Sequence, residues 1–245
     1  MKIDQQWLSW AKHFDVAENE VFGVFYSRSI WRALSHVLDT SKVEQYPVVR
    51  NYYLRTYVST ACSAIRREAD TDTRTSSLAR ALLRLVESPK IVSRERFVTN
   101  YVIRFGAESE AMANNSFNSF APNGGDAVES SVLQLGLSRL TDAAASVKAY
   151  TDTTIAHRQR PGLETETITL SFDQLDHAIN ELGEITKQLH LLRNPGESLA
   201  QVGPVLDRTF LNMFKVAWLA PGFTLPPEHD LGGQSSMAAQ WRAYK

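Results

Sequence analysis

The sequence predicts an all-α protein, an antiparallel bundle of about five to seven helices. Apolar residues recur at steps of three and four along most of the 245 residues, which is the spacing of one helix face. No internal repeat and no convincing series of alternating strands competes with that pattern. With 43% hydrophobic residues, we expect one helical domain over residues 1–220. Residues 221–245, rich in Pro, Gly and small polar residues, should form a loosely packed tail.

The first helical segment carries a stripe of large apolar residues. Its members are Trp7, Trp10, Phe14, Val21, Val24, Phe25, Ile30, Trp31 and Leu34. This spacing fits either one long helix or two consecutive helices, with a break around residues 39–41. It also favours packing of the aromatic residues in the core or in a dimer interface over stacking on nucleic-acid bases.

Helix-start and helix-stop residues divide the next part of the chain. Pro47 fits the first turn of a helix that ends near Asp70. A third helix follows, with a Thr or Asp residue as its N-cap and Pro89 as its stop. A shorter helix begins at Ser93. Residues 113–125, which contain Asn, Ser, Pro and Gly, are predicted to form a surface loop.

A long helix should follow that loop. Asp126 is its candidate N-cap, and it should stop before Pro161-Gly162 because proline disfavours helix at and before its own position. Residues 165–170 then suit a short extended connector.

The last two predicted helices lie in the C-terminal third. Ser171 is the N-cap of the first, and Asn194-Pro195-Gly196 ends it. Its apolar stripe consists of Leu175, Ile179, Leu182, Ile185 and Leu189. A final helix is expected within residues 199–218.

Charge is spread unevenly, although the formal net charge is only −1. Residues 50–104 contain 11 Lys and Arg against five Asp and Glu, whereas residues 162–200 contain two against seven. The small net charge excludes a chain held to nucleic acid by its overall field. The asymmetry leaves three interpretations: a local contact with a polyanion, a basic face meeting an acidic face in an oligomer, or two solvated faces.

Several kinds of site are excluded by missing residues. Cys62 is the only cysteine, so an intramolecular disulfide and a cysteine zinc site are excluded, and we expect a buried, inert thiol. Neither phosphate-binding glycine motif occurs, and the six histidines form no H-x-x-x-H. The N-terminus lacks a signal-peptide pattern, and no apolar run approaches the ~20 residues of a membrane helix. We therefore expect a soluble, cytoplasmic protein without a membrane contact.

One helix face offers the best candidate metal ligands. Asp173, His177, Glu181 and Glu184 share it at steps of three and four. A small-molecule enzyme could use such a face, but di-iron bundles draw their ligands from several helices. Because the face lies opposite an apolar stripe, solvation alone accounts for its polarity. We expect no metal and no cofactor.

Two segments carry a family resemblance. Residues 64–89 contain the pattern Ile-Arg-Arg…Asp…Ser-Leu. Residues 150–162 contain Ala-His-Arg at the C-terminal end of a predicted helix, and the amphipathic segment 172–192 follows them. In this order, the segments resemble the abortive-infection U-type branch of the HEPN superfamily, over roughly residues 5–218, which is most of the chain.

The resemblance implies a helical bundle, often a homodimer, that serves in bacterial defence or a toxin–antitoxin system. Active members of the superfamily are metal-independent ribonucleases. In them an Arg precedes a His by four to six intervening residues, and two copies of this motif form a composite cleft. Here the resemblance implies catalytic roles for His157, as acid or base, and for Arg158, as a phosphate contact. Arg160, Arg66, Arg67 and Arg74, which lie in the two resembling segments, are the further candidates for RNA binding because they could supply positive charge by folding nearby.

The chain departs from the family motif where the Arg should stand. The positions with the required spacing hold Tyr150, Thr151 and Asp152. One hypothesis is an active ribonuclease that takes positive charge from other arginines. The alternative is a non-catalytic module that dimerises, binds RNA, or binds a protein partner or antitoxin. His157 would then be a helix-end histidine that the helix dipole stabilises.

The surroundings of the motif allow two further expectations. Adjacent helical residues diverge by about 100°, so at most one of Arg66 and Arg67 faces a given cleft. The other is expected to pair with Asp70. Asp152 either orients the imidazole of His157 or is an ordinary solvated acid.

Overall fold

Seven α-helices make up most of the residues that the structure, a computed structural model, describes: 2–40, 47–156, 168–197 and 199. They are α1 (Lys2–Thr40), α2 (Pro47–Glu68), α3 (Leu78–Glu87), α4 (Arg94–Phe105), α5 (Glu110–Asn118), α6 (Ser130–Tyr150) and α7 (Phe172–Arg193). Within these ranges the extended structure consists of one isolated bridge, between Ser93 and Ala127. The all-α prediction is confirmed.

Long-range side-chain contacts show that the main helices pack antiparallel. On α1 and α7, Glu18 contacts His190 near one end and Arg28 contacts Asp176 near the other. Residue numbers therefore rise along one helix as they fall along the other. The helices α1 and α2 are antiparallel in the same way, and so are α6 and α7. Their contacts are Glu20 with Arg67, Trp31 with Tyr57, Arg139 with Glu181, and Ser146 with Gln174.

The core lies where α1, α2, α3, α6 and α7 meet. Trp10 and Phe14 are fully buried and stacked 5.7 Å apart, and the indole of Trp10 donates a hydrogen bond to the carbonyl of Ala81. The other aromatic residues of the α1 stripe pack against this core, so core packing is confirmed for them. Cys62 is buried as predicted, and burial raises the pKa of its thiol to about 12.

Local helix signals set several of the boundaries. The N-terminal stripe forms one 39-residue helix, not two. Pro47 begins α2, and the Ser93 hydroxyl accepts a hydrogen bond from the Arg96 N–H at the start of α4. Ser171 and Gln174 form a reciprocal capping box at the start of α7. The predictions of these helix starts are confirmed. They succeed because a cap acts within one turn of its own residue.

The predicted surface loop over residues 113–125 is wrong in its first half. α5 occupies residues 110–118, and Ala113 and Phe117 are fully buried. The centroids of the Phe117 and Phe97 rings are 5.3 Å apart. The guanidinium carbon of Arg94 lies over the Phe117 ring, 4.8 Å from its centroid. Burial of this ring overrides the weak helix propensity of the Asn and Ser residues around it.

Two predicted caps are also wrong. The N-cap of α3 is Ser77, whose hydroxyl accepts from the Arg80 N–H, and not a Thr or Asp. Asp126 does not cap α6, which begins four residues later at Ser130. The carbonyl of Asp126 accepts a hydrogen bond from the Arg94 N–H at 2.8 Å. Glu129 stands at that N-cap position. Tertiary contacts have shifted the start of α6 beyond the residue with the better capping side chain.

Part of the sequence prediction falls outside the described residues. This holds for the helix within 199–218, except Leu199, for the tail over 221–245, and for the first half of the connector 165–170. Among the described helices, none is both long enough and apolar enough to cross a membrane.

Candidate functional site

The C-terminal end of α6 widens into a π-helical turn over Thr151–Ala156. The hydroxyl of Thr151 donates to the carbonyl of Val147 at 2.7 Å, and that of Thr153 to the carbonyl of Ala149 at 2.9 Å. Such turns are rare and redirect side chains relative to a regular helix. The next residue in the chain is His157. It lies outside the described residues, as do Arg158 and Arg160.

An ion pair joins this turn to α2. The Nε of Arg66 donates to Oδ1 of Asp152 at 2.6 Å, and both side chains are partly exposed, at 44% and 37%. The predicted pairing of Arg66 or Arg67 with Asp70 is therefore wrong. Asp70 instead accepts from the N–H of Asp72 and, through its carbonyl, from the hydroxyl of Ser77. These bonds close the turn that follows α2.

Asp152, the acidic partner of this ion pair, has a notable spacing from His157. Four residues separate Asp152 from His157, so Asp152 stands at one of the places where the Arg-x4–6-His pattern has its Arg. The guanidinium that contacts this place belongs to Arg66, from a helix 86 residues earlier in the chain. Because the bond uses Nε, the two terminal amino groups of Arg66 can still donate to another anion.

A groove of about 420 Å³ lies beside the ion pair, and it is called the α2–α6 groove here. The end of α2 and the following turn contribute Arg66, Ala69, Asp70 and Thr71, and α6 contributes Thr141, Ala144, Ala145 and Lys148. The small side chains leave the groove open. Arg66 and Lys148 each supply one cation and Asp70 supplies one carboxylate, so the lining carries a net positive charge. An anionic group of moderate size, such as a phosphodiester, suits this lining better than an apolar ligand.

Lys148 is a cation of this groove that the sequence analysis did not assign to a site. Its signal was its place four residues before Asp152 on one continuous helical segment, which puts both on one face. The sequence could not show that α2 packs against that face.

Arg67 and Arg74, the other two described arginines of the predicted site, bind acidic residues away from the α2–α6 groove. Arg67 forms an ion pair with Glu20 of α1. Arg74 binds Asp72 within the turn after α2, through Nη2 at 2.6 Å, and its hydrogen bonds lower the pKa of Asp72 to about 2. Neither lines the α2–α6 groove. The structure thus brings Arg66 to the segment before His157 and leaves Arg67 and Arg74 apart from it.

A buried carboxyl, that of Glu68, joins the end of α2 to the start of α3 across the turn between them. Glu68 is 0% exposed, and its Oε2 accepts from the N–H of Leu78, the first residue of α3, at 2.8 Å. Its Oε1 is buried without a hydrogen-bond partner among the described residues. Burial raises the pKa of this carboxyl to about 8. Sequence reasoning missed Glu68, whose signal was its place three residues after the apolar Ile65 on the inner face of α2.

The acidic face of α7 is used for ion pairs. Glu181 contacts Arg139 of α6 at 2.7 Å, and Glu184 contacts Lys187 at 2.8 Å. Asp173 and His177 are exposed. Within the described part of the chain, no three His, Cys, Asp or Glu side chains are grouped so that they could hold a metal ion.

Comparison of the chain with protein-family models, with curated proteins and with solved structures gave no match.

Proposed function

We propose that this protein is a cytoplasmic, HEPN-like protein of bacterial defence that binds RNA in the α2–α6 groove and cleaves it without a metal. His157 acts as the acid or base, and Arg158 and Arg160 contact phosphate near it. The observation that carries the proposal is the Arg66–Asp152 ion pair. It supplies a guanidinium at a position where the family motif requires one and this sequence lacks it.

The proposed chemistry assigns distinct tasks to the two kinds of side chain. The ribose 2′-oxygen attacks the neighbouring phosphorus and the bond to the 5′-oxygen breaks, which leaves a cyclic phosphate and a 5′-hydroxyl. A histidine takes the proton from the 2′-hydroxyl or gives one to the departing oxygen. Guanidinium groups stabilise the negative charge that grows on the phosphoryl oxygens. Arg66 and Lys148 are the described residues that can do this at the groove.

Asp152 has a regulatory place in this scheme, because its carboxylate binds the Nε of Arg66 and offsets part of the positive charge that a phosphate needs. A phosphate at the terminal amino groups of Arg66 therefore competes with Asp152 for the same guanidinium. Removal of Arg66 and removal of Asp152 should therefore have opposite effects on RNA affinity. We expect Arg66→Gln to weaken RNA binding by about 3- to 10-fold, and Asp152→Asn to strengthen it by a similar factor.

The two variants are measured by fluorescence anisotropy with a labelled RNA at several salt concentrations. The slope of log Kd against log salt should fall by about one for Arg66→Gln, because one phosphate contact is lost. Arg74→Gln is the matched control, since Arg74 is an exposed cation on a turn outside the groove. Equal losses for Arg66→Gln and Arg74→Gln, or weaker binding by Asp152→Asn, would contradict the assigned groove.

A second function is favoured by the charge balance of the same ion pair. Asp152 neutralises one cation of the groove, and no Arg stands at positions 150–152. A non-catalytic HEPN-like module that forms a homodimer, or binds RNA, a protein partner or an antitoxin, fits these facts too. RNA binding without cleavage by the unmodified chain would favour this second function.

A further inference from the structure

One face of α2 carries a row of exposed residues that leads towards the α2–α6 groove and is interrupted by the half-buried Ser63 between Ser59 and Arg66. Tyr52, Arg55, Ser59 and Arg66 form this row, which is called the α2 stripe here. At 100° per residue, Arg55 and Arg66 differ in direction by about 20°, and so do Tyr52 and Ser59. From Tyr52 to Arg66 the stripe is about 21 Å long at 1.5 Å per residue. Its last member, Arg66, lines the groove.

The charge of α2 is strongly one-sided. The helix carries Arg50, Arg55, Arg66 and Arg67, which are all exposed. Its one acidic residue, Glu68, is fully buried. Arg66 and Arg67 keep 44% and 61% of their side chains exposed beside their partners Asp152 and Glu20. A helix with exposed guanidinium groups and a buried carboxyl suits a polyanion that follows the helix axis.

Two tyrosines stand at the N-terminal end of the stripe. Tyr52 is 58% exposed and Tyr53 is 38% exposed, and their rings meet edge to face at 5.5 Å. Core packing accounts for the buried aromatic residues of α1, but it does not account for Tyr52. An exposed ring beside cations is the arrangement on which unpaired bases stack while their phosphates contact arginine.

We propose that the α2 stripe is a track for single-stranded RNA, in which an unpaired base stacks on Tyr52 and the backbone runs past Arg55 to Arg66 and the α2–α6 groove. This inference rests on the proposed RNA-binding function and adds the strandedness of the substrate. A duplex cannot use the track in this way, because its bases are stacked on one another and cannot reach a tyrosine ring. The occupant is therefore an unpaired segment of RNA.

The test uses the full chain with His157→Ala, so that the RNA stays intact during the measurement. The probes are a fluorescein-labelled, unstructured 12-nucleotide RNA and the same strand annealed to its complement. We expect the single strand to bind about tenfold more tightly than the duplex. Tyr52→Ala should lower single-strand affinity by about tenfold, and Tyr52→Phe should restore it, because the phenyl ring keeps the stacking face. Tyr26→Ala is the control, since Tyr26 is an exposed tyrosine on α1.

The outcomes separate this inference from the function on which it rests. If Arg66→Gln weakens binding of both RNAs but Tyr52→Ala weakens neither, the groove stands and the track is overturned. Equal affinity for strand and duplex also overturns it. If Tyr52→Ala converts a dimer into a monomer in sedimentation without changing RNA affinity, the face is a self-interface and the inference is wrong. Absence of RNA binding by the parent chain overturns both proposals.

Discussion

Replacement of His157 by alanine is expected to abolish RNA cleavage in EDTA while leaving RNA affinity within about twofold of the parent. Acid–base catalysis by a positioned histidine contributes about 10²–10⁴-fold to a rate. Alanine can neither accept the 2′-hydroxyl proton nor protonate the departing oxygen. Affinity should persist because Arg66 and Lys148, which line the groove, are unchanged.

Cleavage is measured by gel electrophoresis of labelled transfer RNA and total RNA. Circular dichroism confirms that the variant keeps its helices. His177→Ala serves as the matched control, because His177 is exposed on α7 and its loss should leave cleavage unchanged. Equal cleavage by parent and His157→Ala would exclude His157 as the acid or base. Loss of cleavage on addition of EDTA would contradict a metal-independent reaction.

Replacement of Glu68 by glutamine is expected to stabilise the protein at alkaline pH and to have little effect near pH 5. In the folded chain the pKa of Glu68 is raised from 4.5 to about 8, chiefly by burial. The folded state therefore holds a proton that the unfolded state releases between these pH values. Its ionisation makes the wild-type free energy of unfolding fall as pH rises from 4.5 to 8, by about 1.4 kcal/mol per unit, and level off above.

Glutamine keeps the carbonyl oxygen that the N–H of Leu78 needs and cannot ionise. The gain from Glu68→Gln should reach on the order of 5 kcal/mol at pH 9, from about 1.4 kcal/mol for each pH unit between 4.5 and 8. Urea unfolding at pH 5 and pH 9 measures it, with Asp142→Asn on the exposed surface of α6 as the control. A gain of the same size at both pH values would show that Glu68 is not protonated in the folded protein at neutral pH.

The candidate site was partly predictable from the sequence. The Ile-Arg-Arg segment and the segment before His157 were both singled out, and Arg66 was named as a source of positive charge. The prediction that one of Arg66 and Arg67 pairs with Asp70 is wrong, because the partners Asp152 and Glu20 are neighbours only in space. The local rule for ion pairs four residues apart could not choose between them.

The sequence by itself determined the all-α class, the starts of α4 and α7 at Ser93 and Ser171, and the burial of the aromatic residues of α1. The last of these applies to the aromatic residues of the α1 stripe and not to the exposed Tyr26. All three features depend on helical periodicity and on caps, which act within a turn or two of the chain.

Only the tertiary structure decided that residues 110–118 are helical, that Glu68 is buried, and that Arg66 meets Asp152 beside Lys148. Each of these depends on desolvation or on a contact between distant helices, so the same local sequence is compatible with other outcomes. The helices could be read from the chain because each encodes its own periodicity. The groove could not, because it exists only where α2 and α6 pack together.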